Sequence, residues 1–310
     1  MTGVQTCALP IFAVIGAGLM GHGIAQVFAL AGYAVTITDA HRPTLDSALM
    51  RISTNLRDLG DDENAVNRVK PVADMAECVR DADYVVEAIL EDMPLKQKTF
   101  AEIEKHVRPD TILASNTSVM PITEIMQGLK HRERALGTHW WNPPFLVPLV
   151  EVIGTQWTSQ AAIDFTMKLH ADAGKEPAHV KKDVPGFIGN RLQHALWREA
   201  VSLVERGICD AETVDRVIKA AFGRRLAVLG PLENADLVGT DLTLAIHKTV
   251  LPDIEHRPGP SPYLERLVSE GKLGFKSGEG FRKWSTEEQA ALRAKVLQHL
   301  KKARENDAKR

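Results

Sequence analysis

Between residues 12 and 181 short runs dense in apolar and β-branched residues alternate with longer stretches whose apolar positions fall three and four apart. The short runs predict strands over 12–15, 34–38, 84–87, 111–114, 135–138, 149–153 and 179–181. The longer ones predict helices over 20–31, 44–59, 94–106 and 159–173. Strands without an alternating polar face are buried on both sides, and their alternation with helices predicts a parallel sheet joined by crossover helices. Past Asp183-Val184-Pro185-Gly186 the strand signals stop, and helical patterns follow over 187–206, 211–222, 241–253, 263–271 and 286–308. Neither Pro185 nor Gly186 extends a strand comfortably, so the border is expected near Lys182, with one domain over 1–182 and a second over 183–310. The fold class expected is α/β, a doubly wound sheet domain followed by an all-α domain. In the last helix Ser285 and Glu288 have capping-box spacing, and Leu292, Val296 and Leu300 share a stripe that must cover its own domain or a second subunit.

Composition narrows the function. A chain of 310 residues with 44% hydrophobic residues is long enough for two cores. Its 38 Lys and Arg nearly balance 40 Asp and Glu, so no global field recruits nucleic acid or an anionic membrane. Cys7, Cys78 and Cys209 make neither a disulfide framework nor a zinc spacing, which predicts no metal and a reducing compartment. No apolar run approaches the roughly 20 residues needed to span a bilayer, and the start lacks a signal-peptide pattern, so a cytoplasmic location is expected. The opening TGVQTCALPI resembles the conceptual translation of a DNA-sequencing adapter. Residues 1–11 are therefore expected to be foreign to the protein, and an independent read of the locus tests that.

The glycines change the picture most. Gly16, Ala17, Gly18, Leu19, Met20 and Gly21 form G-x-G-x-x-G directly after an apolar strand and at the opening of an apolar helix. That context is a dinucleotide-binding, Rossmann-type unit: Gly16 makes the tight turn, Gly18 lets a pyrophosphate approach the backbone, and Gly21 allows close helix-to-strand packing. The helix N-terminus offers unpaired N–H groups and a favourable dipole. Asp39, ending the next strand, stands where a carboxylate accepts hydrogen bonds from the adenosine hydroxyls and repels a 2′-phosphate; Arg42 lies close by and could answer a phosphate, but the carboxylate makes NAD rather than NADP the expected cofactor.

Ser115-Asn116-Thr117-Ser118 follows a strand at the carboxyl edge, where doubly wound sheets bind ligands. His139 ends the next strand within HWWNPP, and Glu151 lies on the strand after that. An imidazole oriented by a carboxylate is the logic of a general base, although either residue alone would be ordinary.

Taken in order, GAGLMG, SNTS, HWWNPP, PLVEV, DVPGFIGNR and KSGEGF resemble the 3-hydroxyacyl-CoA dehydrogenase family over essentially everything after Ile11. The resemblance implies an NAD-dependent oxidoreductase with a helical second domain of the 6-phosphogluconate dehydrogenase C-terminal type that commonly forms a homodimer, and an active site between the domains. It implies His139 as catalytic base, Glu151 as its partner, and Ser118 and Asn190 as groups positioning the reacting oxygen. Glu91, Lys96, Ser118, Asn142 and Lys276 resemble further cofactor contacts. Glu87 is read as structural.

The substrate implied is a 3-hydroxyacyl group, oxidised to the 3-oxo product. Two departures open an alternative. The segment from Asp39 to Tyr84 is shorter than in the fatty-acid-oxidising members, leaving Arg51, Arg57, Arg68 and Lys70 as generic candidates for CoA. Also, PPFLVP and RRLAVLGP look more like relatives acting on small hydroxy acids, such as gulonate or carnitine dehydrogenases and the lambda-crystallins, or on pyridine alcohols; there Lys181, Lys182, Arg224 and Arg225 could meet a carboxylate. A catalytically silent NAD-binding protein is the third possibility, against which stand His139, Glu151, Ser118 and Asn190.

Overall fold

The computed structural model describes residues 9–307. Eight strands, β1 (Phe12–Ile15), β2 (Val35–Thr38), β3 (Val69–Pro71), β4 (Tyr84–Glu87), β5 (Ile112–Ser115), β6 (Ala135–Trp140), β7 (Leu149–Gly154) and β8 (Glu176–Val180), form one sheet in the order β3-β2-β1-β4-β5-β6-β7-β8. All neighbours are parallel except β6 and β7, which are antiparallel. The first six strands thus carry the doubly wound order, with its reversal between β1 and β4, the crevice at which such sheets bind ligands.

Seven of these strands meet the expected runs. The exception, β3, is three residues ending in Pro71 and paired to β2. The expected strand 179–181 lies earlier, at Glu176–Val180, because Pro177 is tolerated on a strand at the sheet edge.

Helices α1 (Leu19–Leu30), α2 (Arg42–Asp46), α3 (Ala48–Leu59), α4 (Met75–Val79), α5 (Met93–Ile103), α6 (Ile122–Met126) and α7 (Gln160–Asp172) provide the connections. The single helix expected over 44–59 is two, broken at Ser47, whose hydroxyl donates to the Thr44 carbonyl and competes with helix propagation. Side chains alternate across the sheet. Phe12 and Val14 face the layer containing Ile24, Phe28, Ile52 and Leu169; Ala13 and Ile15 face the layer containing Phe100, Leu113 and Ile122. Phe12 stacks on Phe28 with ring centroids 3.8 Å apart, fixing α1 against β1 just behind the glycine loop.

Ile11 joins the sheet through backbone groups: its carbonyl accepts from the N–H groups of Asp83 and Tyr84, and its N–H donates to Asp83 Oδ2. Any non-proline residue could supply these bonds, so they do not depend on the identity of a stretch expected to be foreign. Residues 1–8 of that stretch, Cys7 among them, lie outside the described residues.

The chain divides into two compact units. One runs to Arg191 and takes in the end of the last helix from Gln298; the other is Leu192–Leu297. The second is built from most of α8 (Gly189–Glu205), α9 (Ala211–Ala220), α10 (Pro231–Val238), α11 (Thr240–Val250), α12 (Pro262–Ser269) and the larger part of α13 (Thr286–Asp307). The sequence pattern missed α10. Within the second unit only Ser202 and Leu267 are buried. In the first unit, the C-terminal end of α13 is held by the Arg304 guanidinium, which forks onto both carboxylate oxygens of Asp61 at 2.8 and 2.9 Å.

Candidate active site

The glycine loop is shaped by close approaches. Gly16 has φ +99°, and a Cβ there would stand 2.5 Å from the Ala88 carbonyl oxygen; a Cβ on Gly21 would stand 1.7 Å from the Gly16 carbonyl oxygen. At Gly18, by contrast, a Cβ would meet nothing within 4 Å, so the space above the loop is open. α1 begins there without a side-chain cap, leaving its first N–H groups aimed at that space. Asp39 closes the loop from beneath, Oδ2 accepting from Ala17 N at 2.7 Å and Oδ1 from His41 N at 2.8 Å, and its remaining lone pairs are free for ribose hydroxyls. Arg42 is engaged with Asp46 at 2.7 Å. A donor set of backbone N–H groups, open space and a carboxylate fits NAD.

Arg51, considered above only as a generic CoA candidate, has a local role. Its guanidinium donates to the carbonyls of Ala17 at 2.7 Å and Thr44 at 2.8 Å, so it braces the glycine loop from α3.

His139 and Glu151 stand directly opposite each other on antiparallel β6 and β7. Their side chains meet, Nδ1 to Oε2, at 2.7 Å, with both residues buried. The second Glu151 oxygen accepts from the N–H groups of Ile188 at 2.9 Å and Gly189 at 3.0 Å. The chain reaches this position through two left-handed residues, Gly186 with φ 75° and Phe187 with φ 51°, which turn successive N–H groups toward the carboxylate. Burial raises the Glu151 carboxyl, but the hydrogen bonds from His139, Gly189 and Ile188 outweigh it and hold the group below its ordinary value. An ionised Glu151 requires Nδ1 of His139 to carry a proton, which leaves the Nε2 lone pair as the basic site. The rings of Trp141 and Phe187 flank His139, with centroids at 5.3 and 5.6 Å.

Asn190, in the first turn of α8, donates from Nδ2 to the Ser118 carbonyl at 2.8 Å. Ser118 N donates in turn to Glu91 Oε1 at 2.5 Å, so Asn190, Ser118 and Glu91 are tied together. Lys96 is almost wholly buried, its ammonium 2.6 Å from Glu87 and 3.4 Å from Glu91. Asn142 is exposed just past β6. Lys276 is exposed in the other compact unit, beside the bridge between Gly274 and Glu279. Sequence reasoning overlooked Phe187 and the paired N–H groups after it; the Pro-Gly-Phe run was their only signal. The sequence places Glu87 at a strand end but gives no sign of its partners, Lys96 and Ser115. Among the described residues no group of His, Cys, Asp and Glu could hold a metal ion, and no helix is long and apolar enough to cross a membrane.

Residues 12–184 match the model of the 3-hydroxyacyl-CoA dehydrogenase NAD binding domain, and residues 186–284 match that of the family's C-terminal domain. The chain belongs to the 3-hydroxyacyl-CoA dehydrogenase family. It is accordingly an NAD-dependent dehydrogenase acting on CH–OH groups. It is 35% identical over 293 residues to 5-formyl-3-hydroxy-2-methylpyridine 4-carboxylate 5-dehydrogenase of Mesorhizobium japonicum, covering 93% of this chain and 95% of that one. It is 38% identical over 288 residues to the human mitochondrial hydroxyacyl-coenzyme A dehydrogenase, covering 87% and 90%. A crystal structure of a 5-formyl-3-hydroxy-2-methylpyridine 4-carboxylic acid 5-dehydrogenase, described as an NAD+ dependent dismutase, superposes with a TM-score of 0.89 at 34% identity, covering 96% of this chain and 98% of that one.

Proposed function

We propose that the protein oxidises the secondary hydroxyl of a 3-hydroxyacyl thioester to the 3-oxo product, with His139 as the base. The observation that carries this is the buried His139–Glu151 pair at 2.7 Å, with the second carboxylate oxygen anchored on two backbone N–H groups. NAD+, when bound, supplies the acceptor for the hydride leaving the carbinol carbon. His139 Nε2 takes the hydroxyl proton as that hydride leaves, and Glu151 stabilises the resulting imidazolium without taking the proton itself. Asn190 has a second Nδ2 hydrogen beyond the one given to Ser118, and with the Ser118 hydroxyl it orients the reacting oxygen. Gly16 to Gly21 and Asp39 hold the cofactor's pyrophosphate and adenosine ribose, and Glu91 and Asn142 add contacts.

A second reading, a small free hydroxy acid in place of the thioester, is favoured by one observation. Of the basic side chains from Arg42 to Lys70, Arg51 and Arg68 are turned onto main-chain carbonyls, while Arg42, Arg57 and Lys70 sit in exposed ion pairs with Asp46, Glu63 and Glu77. This supports a segment with little to offer the phosphates of CoA. The two readings separate in one screen of NADH formation, 3-hydroxybutyryl-CoA beside gulonate, carnitine and pyridine alcohols. Turnover of the thioester with the free acids inert supports the first; turnover of a free acid alone replaces it with the second.

The assembly proposed is a homodimer formed through the helical unit. Its support is the near absence of buried residues between Leu192 and Leu297, with Val228, Leu232 and Leu237 each more than 70% exposed. Val296 of the α13 stripe is half exposed, which favours the subunit over the intradomain reading of that stripe.

A further inference from the structure

Glu87 ends β4, fully buried, in register with Ile15 on one side and Ser115 on the other. A carboxylate in that place must be compensated. Its Oε1 accepts from the Lys96 ammonium at 2.6 Å and from Ile89 N at 2.8 Å; its Oε2 accepts from the Ser115 hydroxyl at 2.6 Å. Each partner leads onward. Lys96 reaches Glu91 Oε2 at 3.4 Å, and Glu91 Oε1 accepts from Ser118 N at 2.5 Å and from the Thr117 hydroxyl at 3.1 Å. Ser115 Oγ accepts from Thr117 N at 3.3 Å, which closes the ring. The loop after β4 and the turn after β5 are thus joined by a closed circuit of side chains with Glu87 at its base. Those two segments carry Glu91 and Ser118.

We propose that Glu87 is a positioning residue for the dehydrogenase site: through Lys96 and Ser115 it fixes Glu91 and the Ser118 turn in the geometry that receives the nicotinamide half of the cofactor. Lys96 then links Glu87 to Glu91, its ammonium shared between the two carboxylates. Glu87, Lys96, Ser115 and Thr117 are buried while Glu91 is open to solvent, so loss of the Glu87 charge leaves the buried Lys96 ammonium with Glu91 as its one carboxylate partner and the buried Ser115 hydroxyl without its charged acceptor. The idea rests on the reading of Glu91 and Ser118 given above.

Two readouts separate the circuit from that reading. Hydrogen exchange of the cofactor-free protein tests the circuit alone: Glu87→Gln should speed exchange at the amides of residues 117–120. NADH affinity, followed by fluorescence titration, tests its consequence. Glu87→Gln should weaken binding about tenfold in the wild-type background and less than about twofold in a Glu91→Gln background, because the effect travels through Glu91. A core variant remote from the ring, Leu169→Ala, should lose stability without changing NADH affinity. Ser115→Ala releases Glu87 Oε2 and the Thr117 N–H while leaving the Glu87–Lys96 pair in place, and should show the same pattern at about threefold, which keeps the test open if Glu87→Gln does not fold. Unchanged exchange at 117–120, unchanged affinity despite faster exchange, or an equal loss of affinity in both backgrounds would each overturn the proposal. Failure of the wild-type protein to bind NADH would instead sink the reading of the site while leaving the exchange result to judge the circuit.

Discussion

At Glu151 burial pushes the carboxyl pKa up, and the His139 imidazole with the Gly189 and Ile188 N–H groups pulls it down by more. A carboxyl depressed in the folded state adds stability that is fully present above the unfolded value near 4.5 and drains away as pH falls through the folded one. Glu151→Gln should therefore flatten the stability loss seen by urea unfolding as pH falls below about 4.5. The same substitution should reduce kcat by about 10² to 10⁴ while NADH affinity stays within about threefold. Retained turnover would remove Glu151 from the mechanism. Gly189 is the neighbour that permits this packing: a Cβ there would lie 2.5 Å from Trp141 Cζ2 and 3.5 Å from Glu151 Oε2. Gly189→Ala should destabilise by about 1–3 kcal/mol and cut kcat about tenfold, measured by thermal unfolding and steady-state kinetics; wild-type values for both would show that α8 starts without constraint from Trp141.

Elements decide which of these groups meet. Antiparallel pairing of β6 with β7 puts His139 opposite Glu151, and an imidazole at one strand end with a carboxylate on the adjoining strand was enough to suggest that from sequence. The glycine loop was equally legible, because three glycines between a strand and a helix have a single steric logic. Other parts were not. β3, α4 and α6 span three to five residues, too few for a hydrophobic period to emerge. The N–H groups of Ile188 and Gly189 depend on left-handed backbone at Phe187, which a sequence does not announce for a phenylalanine. Glu87 could be placed on its strand, but the reach of Lys96 from α5 is a tertiary fact.

The α7 helix carries a further consequence. His170 is fully buried among Trp140, Phe28 and Tyr84, donating Nδ1–H to the Thr166 carbonyl at 2.8 Å, and burial pushes its pKa down to about 4. The folded state keeps this imidazole neutral while the unfolded chain protonates near 6.5, so stability should fall as pH drops from 6.5 to 4, by up to about 3 kcal/mol. In His170→Phe that component of the slope should vanish in urea titrations across the range. An unchanged slope would mean that another group dominates acid unfolding.

At the scale of the whole molecule, the two units differ in how they are stabilised. The sheet unit buries both faces of its central strands, whereas the helical unit buries only Ser202 and Leu267. Apolar surface that a unit cannot cover itself must be covered by a second copy or remain an aggregation hazard. Sedimentation at micromolar concentration should give a dimer, and Leu232→Asp with Leu237→Asp should shift it toward monomer and lower its thermal stability. A wild-type monomer over that range would refute the assembly.

In the reaction proposed, His139, oriented by Glu151, abstracts the hydroxyl proton. NADH formation by wild type and His139→Ala, on whichever substrate the screen selects, tests it most directly when NADH affinity is measured alongside. The expected result is a loss of about 10² to 10⁴ in kcat with affinity within about threefold. Turnover by His139→Ala at a rate near that of the wild type would contradict it.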